Sequence, residues 1–114
     1  MADQPKERRK HPRYACDVGV QVRPERSGGG YWGTLADISL GGCYVYTFSP
    51  LALGTVLSLT LRSGEYEILA AGTVVTAHPG VGMGVEFIMF PSPEDESNLK
   101  AFIAILEAEA LKNK

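Results

Sequence analysis

The chain has 114 residues, of which 45% are hydrophobic and 21% charged, and its net charge is −2. This length fits one domain with one modest core, and the slightly negative charge excludes a protein that binds long polyanions over a basic surface. No run of about 18 apolar residues is present, so neither a transmembrane helix nor membrane insertion is expected. The charged N-terminal residues precede no apolar run, which is unlike a secretory signal.

The first eight residues are polar and charged. They have too little apolar surface to fold alone, which predicts a flexible basic arm over residues 1–8. Residues 9–114 are predicted to form a single domain, with strands over about 14–90 and a helix over about 93–112.

Strands are predicted where short runs of alternating apolar residues are separated by glycine, proline and serine. In the first such run, from Tyr14 to Arg23, every second residue is hydrophobic, which is typical of a half-buried strand. Pro24 to Gly30 then forms a flexible hairpin loop. Five further strands are predicted over residues 31–38, 43–48, 56–61, 65–77 and 83–90.

The last segment has helical periodicity. Ser92 is a natural N-cap, Pro93 suits the first helical position, and Asp95 stands where a capping acid is expected. One face of this helix, which must pack on the domain itself or on a partner, carries Leu99, Phe102, Ile103, Leu106 and Ala110. Six strands followed by one helix predict a mainly β fold, a small six-stranded antiparallel β-barrel with a C-terminal α-helix. A β-sandwich of the same strands is the alternative.

The sequence contains no grouping of residues that is typical of a catalytic or metal site. The two histidines, His11 and His78, each precede a proline and have no carboxylate at ligand spacing, so neither zinc binding nor a catalytic triad is indicated. The acidic residues 94–96 fall in the first helical turn, where they stabilise the helix dipole. The two cysteines, Cys16 and Cys43, lie in apolar runs, which predicts buried free thiols, a reducing compartment and hence a cytoplasmic location. We predict no enzyme activity, no metal and no cofactor.

Two short segments remain as candidates for binding. The first is Arg8-Arg9-Lys10-His11-Pro12-Arg13. Guanidinium groups bind phosphate through paired hydrogen bonds and stack on bases, so arginines at fixed separation suit a ligand with phosphates and purines. The other interpretation of this segment is a solvated basic tail.

The second segment is Asp37-Ile38-Ser39-Leu40-Gly41-Gly42. A carboxylate can accept hydrogen bonds from the N1 and N2 groups of guanine, and a serine hydroxyl two residues on can add a contact. Glycine lets the chain turn and a flat base approach closely. An ordinary turn between two strands would have the same composition.

Together the two segments resemble the signature of the PilZ domain family, RxxxR followed by D/NxSxxG. Residues 9–13 match the first motif and residues 37–42 the second, with one strand and a hairpin loop between them. Further similarity lies in residues 50–55, 72–75 and 84–87, so that the resemblance covers nearly the whole chain. It implies a receptor for the bacterial second messenger cyclic di-GMP, which is the ligand and not a cofactor.

By this resemblance the ligand-binding residues are Arg8, Arg9, Arg13, Asp37, Ser39, Gly41 and Gly42. The arginines at both ends of RxxxR would bind phosphates and guanine edges, the aspartate and the serine would read one guanine, and the glycines would keep the turn open. An arginine directly before the motif implies two stacked ligand molecules per domain. The ligand would order the arm and signal to a protein partner that the sequence does not identify.

Two other functions fit parts of the sequence. The chain could be a ligand-independent adaptor that uses the barrel and the apolar helix for protein contacts. It could also bind single-stranded nucleic acid through aromatic residues such as Trp32 and Tyr46. The negative charge and the lack of basic residues among these aromatics argue against the latter, so no DNA or RNA partner is expected.

Overall fold

The computed structural model describes residues 11–26 and 29–112. It contains six strands and one helix in chain order. These are β1 (Tyr14–Pro24), β2 (Tyr31–Ile38), β3 (Gly42–Tyr46), β4 (Val56–Ser63), β5 (Tyr66–His78), β6 (Gly82–Met89) and α1 (Pro93–Lys112). Each element lies where the sequence pattern predicts it, and β3 ends earlier than expected. Phe48, expected at the end of that strand, lies beyond it with its side chain 84% exposed.

The strands close into a barrel in the order β1-β2-β3-β6-β5-β4, and every neighbouring pair is antiparallel. Closure depends on β1, which pairs with β2 along one edge and with β4 along the other. The β4 pairing involves only the second half of β1, from Val20 to Pro24. The predicted barrel is therefore confirmed, and the alternative β-sandwich is excluded.

Alternation along the strands builds the core, because successive side chains of a strand point to opposite sides of the sheet. In β1, Val20 and Val22 are fully buried, whereas Arg23, the next residue of the same strand, is exposed. Fully buried side chains from all six strands and the helix meet in one cluster, which includes Val20, Leu35, Val45, Leu57, Val74, Val85 and Leu99.

Helix α1 begins with a reciprocal cap. The backbone N–H of Ser92 donates to Asp95 Oδ2 at 3.2 Å, and the N–H of Asp95 donates to Ser92 Oγ at 3.4 Å. Asp95 Oδ1 also accepts a hydrogen bond from the N–H of Leu69 at 3.0 Å, which joins the start of the helix to β5. This second bond explains why a carboxylate is buried at the cap.

The helix packs on its own barrel over its middle part, from Leu99 to Leu106. Leu99, Phe102 and Ile103 are buried, and Leu106 is half-buried against the same cluster. Ala110 is expected on this packing face but is exposed, because the packing of α1 on the core ends at Leu106 and residues 107–112 are all exposed. Within residues 11–26 and 29–112, no helix is long and apolar enough to cross a membrane.

Candidate ligand-binding site

Antiparallel pairing of β1 with β2 brings the two motif segments together. Tyr14 pairs with Ile38 and Ala15 with Asp37, so the residue that precedes β1 lies beside the end of β2. That residue is Arg13, whose Nη1 donates to Asp37 Oδ1 at 2.9 Å. Arg13, predicted to bind phosphate, and Asp37, predicted to bind guanine, are thus in contact although they are 24 positions apart in sequence.

The Arg13–Asp37 ion pair is partly open to solvent, with side chains 27% and 32% exposed. The Nε atom of Arg13 is buried and has no hydrogen-bond partner among the residues that the structure describes. A guanidinium has five N–H donors and a carboxylate has two acceptor oxygens, so this single bond leaves capacity on both sides. Ion pairs near the surface stabilise a fold by only about 0–1 kcal/mol, so a ligand can replace this one at little cost to stability.

Ser39 holds the turn that follows β2. Its Oγ accepts hydrogen bonds from the N–H of Gly41 at 3.1 Å and of Gly42 at 3.2 Å, and the backbone N–H of Ser39 donates to the Gly42 carbonyl at 2.8 Å. The residue is only 4% exposed. The hydroxyl therefore shapes the turn from inside, and its predicted contact with guanine stays a prediction.

The two glycines of the turn have different surroundings. A β-carbon on Gly42 would overlap the carbonyl oxygen of Val85, because β3 and β6 approach closely at this point. A β-carbon on Gly41 would instead lie 3.2 Å from Cδ2 of His11. Gly42 is thus required by the barrel, whereas the missing side chain of Gly41 leaves room for the imidazole of His11. Arg8 and Arg9 are outside the described residues, and their predicted roles stay predictions.

The two thiols near this site are free, and Cys43 is fully buried while Cys16 is half-buried. Burial, with added repulsion from the carboxylates of Asp37 and Asp17, raises the pKa of Cys16 to about 11. Burial likewise raises the pKa of Cys43. Both groups are therefore neutral thiols at physiological pH, and neither is an activated nucleophile beside the motif residues.

An aromatic surface adjoins the motif residues on the outside of the barrel. We call Tyr44, Tyr46 and His78 the aromatic platform. Tyr44 is the direct β3 partner of Asp37, and its hydroxyl lies 2.8 Å from Nδ1 of His78. Its ring meets that of Tyr46 edge to face, with centroids 6.0 Å apart. Burial and the nearby Tyr46 and Asp37 raise the pKa of the Tyr44 phenol, so it remains a hydrogen-bond donor at neutral pH.

From the sequence, these tyrosines are expected to belong to the core or to the barrel surface, and nothing connects them with the Asp37 segment. The signal available was the alternation of residues 43–46, in which the even-numbered tyrosines point outward and Cys43 and Val45 point inward. That alternation shows which side the rings occupy. It does not show that Asp37 is the neighbour of Tyr44, because this depends on the register of β2 against β3.

A groove of about 630 Å³ lies elsewhere, between the start of β1, the β4–β5 turn and the second half of α1. Its apolar wall includes Phe102 and Leu106, and its charged lining residues are Asp17, Glu65 and Glu109. Three carboxylates without an opposing base would repel a phosphate ligand. The motif residues, although they form a more open surface, are the better candidate for an anionic ligand.

The chain is similar to known proteins in sequence and in fold. A sequence model described as the PilZ domain matches residues 7–104. No curated protein gives a significant match to the chain.

Solved structures share the fold. The PilZ domain of YcgR from Escherichia coli, with c-di-GMP, is 20% identical with a TM-score of 0.76, over 93% of this chain and 96% of that one. The K. pneumonia MrkH–c-di-GMP complex is 22% identical with a TM-score of 0.78, over 100% of this chain and 57% of that one. The Bacillus subtilis inhibitor of motility, MotI/DgrA, is 22% identical with a TM-score of 0.65, over 91% of this chain and 56% of that one.

Proposed function

The chain belongs to the PilZ domain family, and from that membership and the geometry of the motif residues we propose that it is a receptor for cyclic di-GMP. The observation that carries the proposal is the 2.9 Å contact between Arg13 and Asp37. It puts a phosphate-binding cation and a carboxylate suited to guanine on one patch of the barrel surface. Two of the similar structures, those of YcgR and MrkH, contain the same nucleotide.

Binding would exchange the partners of this ion pair. A phosphate oxygen takes hydrogen bonds from Arg13, and the carboxylate of Asp37 is then free to accept the N1 and N2 protons of a guanine. Charge-assisted hydrogen bonds contribute about 1.5–3 kcal/mol each. Several of them, less the cost of ordering the residues that make them, support a micromolar or tighter site, about −8 kcal/mol.

The rest of the binding machinery in this proposal comes from the N-terminal arm. Arg8 and Arg9 bind phosphates and guanine edges, and the arm becomes ordered on the barrel when the ligand arrives. The new position of the arm creates or hides a surface for a protein effector, so the signal is a change of contacts and involves no chemical step. The arginine at position 8 favours two stacked ligand molecules per domain. We place this receptor in the cytoplasm, where its free thiols stay reduced.

The experiment is calorimetric titration of cyclic di-GMP into the wild type and into Arg13→Ala. We expect micromolar or tighter binding by the wild type and a loss of at least about tenfold in the variant, because a charge-assisted contact is removed. The matched control is Arg62→Ala, which removes an equally charged side chain from an exposed ion pair with Glu67, 2.7 Å away. The control should bind like the wild type. The stoichiometry distinguishes one ligand from a stacked pair.

Absence of binding by the wild type would overturn the receptor proposal. A ligand-independent adaptor would then be the better account. One observation favours that second function: the exposed last turns of α1 carry Ile105 and Leu111, which are 43% and 66% exposed. A partner bound there without nucleotide, and lost on changing these two residues to serine, would establish it.

A further inference from the structure

The aromatic platform lies next to Asp37, on the outer face of the barrel. Side chains of Asp37 and Tyr44 point outward, because their neighbours Ile38, Cys43 and Val45 are fully buried. Directly opposed residues of an antiparallel pair have β-carbons about 4.5–5.5 Å apart. The carboxylate and the phenol ring are therefore adjacent parts of one surface.

The ring of Tyr44 lies over β6 on the outside of the barrel. A β-carbon on Gly82 would come within 2.6 Å of ring carbon Cε2, and one on Gly84 within 3.9 Å of Cδ1. These two ring carbons are on opposite sides of the ring, so the ring lies lengthwise over both glycines of β6. Tyr44 is only half-buried, so part of its ring is open to solvent.

The orientation of this ring is held by its neighbours. The hydroxyl of Tyr44 is anchored by Nδ1 of His78 at 2.8 Å, and its ring packs against that of Tyr46 in a T-shaped pair with an interplanar angle of 80°. The imidazole of His78 is tilted by 36° from the phenol plane, with centroids 5.9 Å apart. Such a preorganised aromatic surface loses little side-chain freedom when a flat group stacks on it.

We propose that Tyr44 is a base-stacking residue, on which the guanine held by Asp37 lies; this rests on the proposed cyclic di-GMP receptor function. The ring lies over β6, one strand beyond β3, and neighbouring strands are about 4.8 Å apart. A guanine whose N1 and N2 edge meets Asp37 extends across β3 and stacks on the solvent-exposed part of the Tyr44 ring. Asp37 then selects the base, whereas Tyr44 adds affinity without selecting it, because every base has a π face.

The test compares cyclic di-GMP titrations of the wild type, Tyr44→Leu and Tyr44→Phe. Stacking predicts that the leucine variant binds at least about tenfold more weakly, since a base stacked on an aromatic ring contributes substantially to affinity. The phenylalanine variant keeps the ring, loses the bond to His78, and should bind within about threefold of the wild type. Trp32→Leu is the matched control, because Trp32 is an aromatic residue on the same outer face, 68% exposed and at the other end of β2. It should not change binding.

Selectivity provides a second readout. Tyr44→Leu should weaken the binding of cyclic di-GMP and of cyclic di-AMP by similar factors, whereas Asp37→Ala should change the ratio of the two affinities. A third readout needs no variant: ring protons of Tyr44 should move upfield in NMR spectra when the ligand is added, because the purine ring current shields them. This measurement decides the question if Tyr44→Leu does not fold.

Unchanged affinity in folded Tyr44→Leu, or no upfield shift in the wild type at saturation, would overturn the role of Tyr44 and leave the receptor function intact. Failure of the wild type to bind at all would overturn both. The two proposals are thus separated by whether the wild type binds.

Discussion

The turn after β2 and the aromatic platform lie side by side, and β3 contributes to both. In the turn, Ser39 and Gly42 are buried and bonded within the segment, and a few consecutive residues form the whole structure. In the platform, Tyr44, Tyr46 and His78 come from two separate strands, and their polar contacts are with one another. The first region maintains the barrel, whereas the second presents a surface that the barrel does not need.

This difference shows that a residue of the binding signature can be required for the fold, whereas a residue outside the signature can lie at the proposed binding surface. Gly42 belongs to the binding signature, yet the close approach of β6 already requires a glycine there. Tyr44 belongs to no signature, yet it lies against the residue proposed to read the base. Changes in the turn should therefore affect stability first, and changes in the platform should affect binding first.

The largest expected effect on stability is that of Gly42→Ala. The added methyl group overlaps the Val85 carbonyl and lies 3.3 Å from Cα of Glu86, and backbone in a closed barrel cannot move away easily. We expect the free energy of unfolding to fall by about 1–3 kcal/mol, measured by urea denaturation. Among the described residues, the added methyl group of the control Gly41→Ala meets side-chain atoms, Cδ2 of His11 at 3.2 Å and Oγ of Ser39 at 3.9 Å, and this variant should stay within about 0.5 kcal/mol of the wild type. Equal stability of the two variants would contradict the packing role of Gly42.

A smaller loss is expected for Ser39→Ala. The hydroxyl accepts hydrogen bonds from the N–H groups of Gly41 and Gly42, which its removal leaves without this acceptor. Urea denaturation should show a loss of about 1–2 kcal/mol. Ser97→Ala, on the exposed face of α1, is the control and should change stability by no more than about 0.5 kcal/mol. If both serine variants were equally stable, the turn would not depend on the hydroxyl.

The smallest effect on stability is expected for Asp37→Ala, which breaks a partly exposed ion pair. The loss should not exceed about 1 kcal/mol and should resemble that of Glu67→Ala, whose ion pair with Arg62 is also at the surface. In contrast, the preference for cyclic di-GMP over cyclic di-AMP should decrease, which paired titrations would measure. An unchanged ratio of the two affinities would show that Asp37 does not read guanine.

Much of the fold follows from local patterns. The two-residue alternation of β1 and the cap formed by Ser92 and Asp95 are encoded in neighbouring residues, and both occur where the sequence predicts them. The end of the helix face was predicted less well. Ala110 has the correct helical spacing but is exposed, because contact with the core ends at Leu106, and periodicity contains no information on how far a core extends.

The resemblance of the two segments to the PilZ signature brought Arg13 and Asp37 under one hypothesis, and the pairing of β1 with β2 places their side chains in contact. No motif in the sequence indicates which strands pair to close the predicted barrel or which residues form the aromatic platform. Closure pairs Val20 with Leu61, and the platform pairs Tyr46 and His78 across Gly82. Both depend on the register between strands distant in sequence, and a shift of one residue would turn every side chain to the other face of the sheet.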